Sequence, residues 1–211
     1  MRWRDTPATA VIAGVTLLTS ALLLLSGSVA DAAIGAGFIP LRWSSVVIPA
    51  DHLFLLPSWL TPLGATLIHA GVAHLALNLV VLVFCGQKTE RALGWGGAVL
   101  IYLVGAYAAA AGQWGLSPES AVPMIGASGA ISAWLASYAL LYGRTQARAI
   151  GPIPARIVHV LWLAAAWVGI QVLIGLAGMG GTSVAIGAHV GGFVAGLLLT
   201  RPVLLWRWRA A

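Results

Sequence analysis

Six apolar runs, at about 8–30, 62–85, 97–116, 124–142, 157–178 and 184–206, recur along almost the whole chain. Each is long enough to cross a hydrocarbon core of roughly 30 Å, which takes about 20 helical residues. Lipid offers no partner to an unpaired backbone group, so a spanning segment is either a helix or part of a closed barrel. The alternation of barrel strands is absent. The expected fold is therefore all-α, a polytopic membrane protein built as one domain, a bundle of six transmembrane helices. Only 8% of the residues are charged, against roughly 25% in a soluble domain.

The net charge of +6 is explained by where the charges lie. With the N-terminus placed in the cytoplasm, every lysine and arginine except Arg42 falls on the inner side, which is the bias that orients membrane proteins. That distribution argues against a nucleic-acid partner and for cytoplasmic N- and C-termini. The Arg-rich, Lys-poor composition points to a GC-rich bacterium, so the expected setting is a bacterial inner membrane. The first run also resembles a cleaved signal peptide around Ser28-Val29-Ala30, but it is longer than the 7–15 apolar residues typical of one. A single cysteine, Cys85, excludes an intrachain disulfide. The outer connection, residues 31–61, is rich in Gly, Pro and aromatic residues and is expected to lie in the membrane interface. Neither a repeat nor matched broken spans appear, which weakens a transporter reading.

Polar side chains inside spans are costly and ask for a reason. The second span carries His69, His74 and Asn78; the fourth opens with Gly126-Ala127-Ser128-Gly129; the sixth contains Ala188-His189. His74 and Asn78, four apart, share a helix face, whereas His69, five before His74, is expected to point away. Counted to the nearest cytoplasmic basic residue, His74 stands 14 residues above Lys88, Ser128 16 above Arg144 and His189 12 above Arg201. At 1.5 Å per residue these heights are about 21, 24 and 18 Å. Three helices thus bring polar groups to one level. Gly192 and Gly196 follow His189 on one face, and Ser132 and Ala136 follow Ser128, spacings at which small residues let membrane helices pack backbone to backbone. Packing alone also accounts for these glycines, and Ser128 also reads as a capping serine. No metal site is expected, because the histidines do not face one point and no thiolate or carboxylate joins them.

Together these residues resemble the rhomboid family of intramembrane serine proteases. The likeness rests on His69 and His74 with Asn78, then Glu90 and Gly94, then Gly126-Ala127-Ser128-Gly129, then Ala188-His189 with Gly192 and Gly196. It covers roughly residues 60–200. What it implies is a six-helix endopeptidase that needs no cofactor, works in the lipid bilayer and cuts single-span membrane proteins. By position, Ser128 is then the nucleophile and His189 the general base, while His74 and Asn78 help to hold the oxyanion. The family's mobile fifth helix and capping loop correspond to residues 157–183. Two positions depart from the pattern: Ser132 stands where an aromatic residue usually packs against the histidine, and Leu60-Thr61 replaces a Trp-Arg pair ahead of the second span.

A serine hydroxyl needs a base to take its proton as it attacks. Asp5, Asp31, Asp51, Glu90 and Glu119 are the complete set of acids, and all are read as lying outside the spans. A Ser-His dyad is expected, with Ser132 as a candidate weak partner of the histidine. Ser128 would also offer its own N–H from the first turn of its helix, and Gly126 and Gly129 would let a substrate backbone come close. The alternative from another class is a catalytically silent relative that binds transmembrane segments.

Overall fold

The computed structural model describes residues 3–44, 53–143, 147–176 and 185–209. Among them the chain is helical, without named strands: α1 is Pro7–Ser26, α2 Val29–Ala36, α3 Pro40–Trp43, α4 Thr61–Ala65, α5 Val72–Leu116, α6 Ser128–Tyr142, α7 Ala155–Leu176 and α8 Ile186–Trp208. Three of these, α1, α5 and α8, are long and apolar enough to cross a membrane.

The 45-residue α5 is not one rod, because Gly94 interrupts it with φ +77°. His74 and Ala109, 35 residues apart in the chain, would be separated by about 52 Å along a straight helix. Instead one lies against Gly126 and the other against Gly129. The chain therefore doubles back at Gly94, a left-handed position that suits glycine, and α5 is a hairpin of two apolar helices.

Elsewhere the apolar runs give helix positions only approximately. α1 stops at Ser26, where Gly27 (φ +71°) closes it with N–H bonds to Leu23 and Leu24 carbonyls. The run's last residues start a separate helix, α2. Residues 62–71, read as the head of the second span, form the short α4 and a non-helical passage. Residues 124–127 precede α6 as a non-helical passage that turns at Gly126 (φ +112°), and Met124 pairs with Phe38 through N–H···O bonds of 3.0 and 2.7 Å. The outer connection is anchored by Arg42, which donates to the Leu56 carbonyl at 2.6 Å, and Trp43, which donates to that of Ser58 at 3.0 Å. Asp51, Arg144 and residues 177–183 of the expected capping loop lie outside the described residues.

Glu90 corrects the reading that every acid lies outside the spans, since it falls within the long apolar α5. It is buried within α5, and its carboxylate accepts the N–H groups of Ala8 (3.0 Å) and Thr9 (2.8 Å) and the Thr9 hydroxyl (2.7 Å). The N-terminus of α1 has unpartnered N–H groups and a positive dipole end, so a buried carboxylate is at home there. Thr9, Ala13, Thr16 and Ser20 form the buried face of α1, while Val11, Leu18, Leu22 and Leu25 are exposed outward. Polarity is inverted relative to a soluble helix, as lipid on the outer side requires.

α6 is the centre of the bundle, packed between both arms of α5 and α8, with Trp134 fully buried and donating to the Ala98 carbonyl at 2.9 Å. Its approach to α8 has no room for side chains. A Cβ on Gly192 would collide with the Gly129 carbonyl oxygen, and one on Gly196 with that of Ala133. Gly192→Ala is expected to destabilise the folded protein by about 1–3 kcal/mol through overpacking. Gly14→Ala on α1, where a Cβ meets nothing within 4 Å, should be neutral or gain about 0.5–1 kcal/mol from lower backbone entropy. Unfolding in detergent compares the two; equal effects would contradict this packing account.

Candidate active site

Ser128 is the first residue of α6 and His189 lies in the first turn of α8. Because those two helices touch backbone to backbone, the side chains meet: His189 Nε2 is 2.8 Å from Ser128 Oγ. Both residues are partly buried. Three residues before α8 reaches its glycine contacts, the histidine thus stands at the level where α6 begins.

The third wall is His74. Its Nδ1 accepts the Ala70 N–H at 3.4 Å, so in the neutral ring Nε2 carries the hydrogen. That nitrogen faces Gly126 (φ +112°): a Cβ on Gly126 would sit 2.9 Å from His74 Nε2 and 3.8 Å from Ser128 Oγ. Any side chain would fill the space between imidazole and hydroxyl. Asn78 is buried one turn below His74 and donates one amide hydrogen to the His74 carbonyl at 2.9 Å, which leaves its second hydrogen for another acceptor. Gly129 is held against Ala109 and Ala188. The structure therefore gathers Ser128, His189, His74 and Gly126 around one small space, with Asn78 beside it.

Ser132 gives its hydroxyl hydrogen to its own helix, donating back to the Ser128 carbonyl at 2.8 Å, the back-bonding open to a helical serine. One expectation changes. His69 does not point away from His74. Their ring centroids are 5.0 Å apart, because residues 66–71 are not helical and helix spacing does not apply to them.

His69, fully buried, is the residue whose role sequence reasoning missed. Its Nε2 accepts the Ala127 N–H at 3.3 Å, next to Ser128, and its Nδ1 is 2.8 Å from Ser20 Oγ. With Nε2 as acceptor, Nδ1–H donates to Ser20, whose hydrogen in turn goes to the Leu67 carbonyl at 2.8 Å. This directed chain ties α1 to the residue before the serine. It also occupies both ring nitrogens of His69, leaving neither for a metal. The buried period of α1, which ends at Ser20, was the available signal.

The chain matches the rhomboid domain over residues 57–206. It is 32% identical over 187 residues to rhomboid protease GlpG of Yersinia enterocolitica, covering 88% of this chain and 59% of that protein. Over 92 residues it is 37% identical to rhomboid protease GluP of Bacillus subtilis, covering 44% of this chain and 17% of that protein. The chain thus spans less than two thirds of the length of each of these relatives. It belongs to the rhomboid family, and with its long apolar helices it is an integral membrane protein.

The Ser20–His69 link is open to a double-mutant cycle. Ser20→Ala and His69→Ala each leave a buried polar group without its partner, at about 1–3 kcal/mol. Their coupling, read from unfolding in detergent, should be about 0.5–3 kcal/mol. Strict additivity would contradict the chain of bonds described here.

Proposed function

We propose that the protein is an intramembrane serine endopeptidase that cleaves single-span membrane proteins through a Ser128–His189 dyad. The observation that carries this reading is the 2.8 Å approach of His189 Nε2 to Ser128 Oγ in a chain of the rhomboid family. Both relatives are named as rhomboid proteases.

With Nε2 unprotonated, the Ser128 O–H donates to it. As the oxygen attacks the scissile carbonyl, the imidazole takes the proton and then delivers it to the departing amine. Water resolves the acyl-enzyme by the same base in reverse. The tetrahedral intermediate carries negative charge on the former carbonyl oxygen. Donors set in advance around that oxygen supply roughly 2.7–4 kcal/mol each. Here His74 Nε2–H, the free Asn78 amide hydrogen and the N–H groups of the first turn of α6 take that part. The space left by Gly126 admits the substrate carbonyl.

The two arms of α5 together with α1, α6, α7 and α8 supply six membrane crossings, in a single domain. The charge distribution favours both termini in the cytoplasm, and the composition favours a bacterial inner membrane as the setting. The site then lies below the outer surface, within reach of water. The lipid bilayer delivers the substrate segment.

Reconstitution with a labelled single-span reporter tests the reading. Cleavage is expected, and Ser128→Ala should abolish it. Asn78→Ala should lower kcat by about 100- to 1,000-fold with little change in KM, the signature of a lost oxyanion donor. Cleavage that survives Ser128→Ala sinks the nucleophile assignment. Absence of cleavage with every reporter, alongside specific capture of transmembrane segments, would favour the catalytically silent alternative.

A further inference from the structure

A general base acts only while its ring is held in line with the hydroxyl, because a displacement of an ångström or so weakens catalysis steeply. On α6 the residue one turn after Ser128 is the small Ser132. Ser132 turns its hydroxyl back to its own helix, and its Cβ lies 3.4 Å from where a Cβ on Gly192 would stand. That wall is made of small groups.

An aromatic residue comes instead from α7. Most of the described surface of this helix faces outward, with Leu161, Trp162 and Val168 exposed. Trp167 is turned inward and makes three contacts with α8. Its indole N–H donates to the His189 carbonyl at 3.2 Å. Its ring stacks on Phe193, one turn beyond His189, with centroids 5.2 Å apart and planes 14° from parallel. The same ring lies 6.4 Å from the His189 imidazole at 56°. The main chain, the neighbouring aromatic and the imidazole are thus all touched by a single side chain. An indole in a bilayer also needs a partner for its N–H, and this one finds it at the backbone of the base.

We propose that Trp167 is a positioning residue for His189, supplying from α7 the aromatic support that α6, with Ser132, does not provide. This rests on the reading of His189 as the base. It makes the placement of α7, which packs chiefly on α8, part of the assembly of the site. The stack with Phe193 fixes the plane of the indole, and the N–H bond fixes its height along α8. Together they limit how far the first turn of α8 can move away from Ser128.

The test uses the full-length protein in bicelles, with Trp167→Ala, Trp167→Phe and, as control, Trp162→Phe on the exposed face of the same helix. Reporter cleavage gives kcat and KM, and the 15N resonance of His189 Nε2, assigned with His189→Ala, reports the hydrogen bond of the base. Trp167→Ala is expected to lower kcat by about 10- to 100-fold with little change in KM, and to displace the His189 resonance. Trp167→Phe, which keeps a ring against Phe193, should fall between it and wild type and serves alone if the alanine variant does not fold. Trp162→Phe should match wild type in both readouts. Wild-type kcat in a folded Trp167 variant, a loss confined to KM, or an undisplaced His189 resonance overturns the proposal. If cleavage proves independent of Ser128, the nucleophile assignment fails by itself, and the resonance alone still decides whether Trp167 holds His189.

Discussion

Between α6 and α8 the two backbones touch. The carbonyls of Gly129 and Ala133 occupy the space that side chains on Gly192 and Gly196 would need. Apolar attraction does little to associate helices already dissolved in lipid, so close van der Waals packing and a few polar contacts must do it. The same closeness brings His189, on the turn before Gly192, within hydrogen-bond distance of Ser128 at the head of α6. Stability and proximity therefore have one cause. A larger residue at either glycine would force the helices apart and the dyad with them.

A second set of contacts holds the head of α6 in place. The segment before Ser128 pairs with Phe38 through Met124, and Gly126 N–H donates to the Ala65 carbonyl at 2.8 Å. Ala127 N–H is held by His69, and through it by Ser20 of α1. Each of these groups would otherwise be an unpaired donor in a region poor in water. Satisfying them also fixes the turn that presents the serine. At the opposite end Glu90 does the equivalent for α1, binding its first N–H groups to α5. Other described polar side chains also join one helix to another, Thr89 of α5 to the Trp134 carbonyl of α6 and Ser137 of α6 to Thr200 of α8.

What could be read from the sequence follows from which signals lipid leaves intact. Apolar runs marked the helices, and Gly192, Gly196, Ser128 and His189 showed where two of them approach. Their ends were less legible, because an apolar run continues into interfacial segments such as α2 without any change of composition. Gly94 was noticed as a motif residue, yet only its positive φ reveals it as the turn of a hairpin. His69 was misplaced by helix spacing, since nothing local announced that residues 66–71 leave the helix. Glu90 was read as lying outside the spans; the partner that makes it acceptable within α5 lies more than 80 residues away in sequence. Trp167 was invisible for a different reason. Tryptophan is common in this chain, and only the fold distinguishes the one that faces His189 from those that face lipid.

The central claim is that His189 makes Ser128 nucleophilic, and the most direct test is covalent. Treatment of the reconstituted protein with a fluorophosphonate, followed by peptide mass spectrometry, should place a single phosphonyl adduct on Ser128, with its formation largely lost in His189→Ala. An adduct on another serine, or labelling of Ser128 at the wild-type rate without His189, would contradict the account.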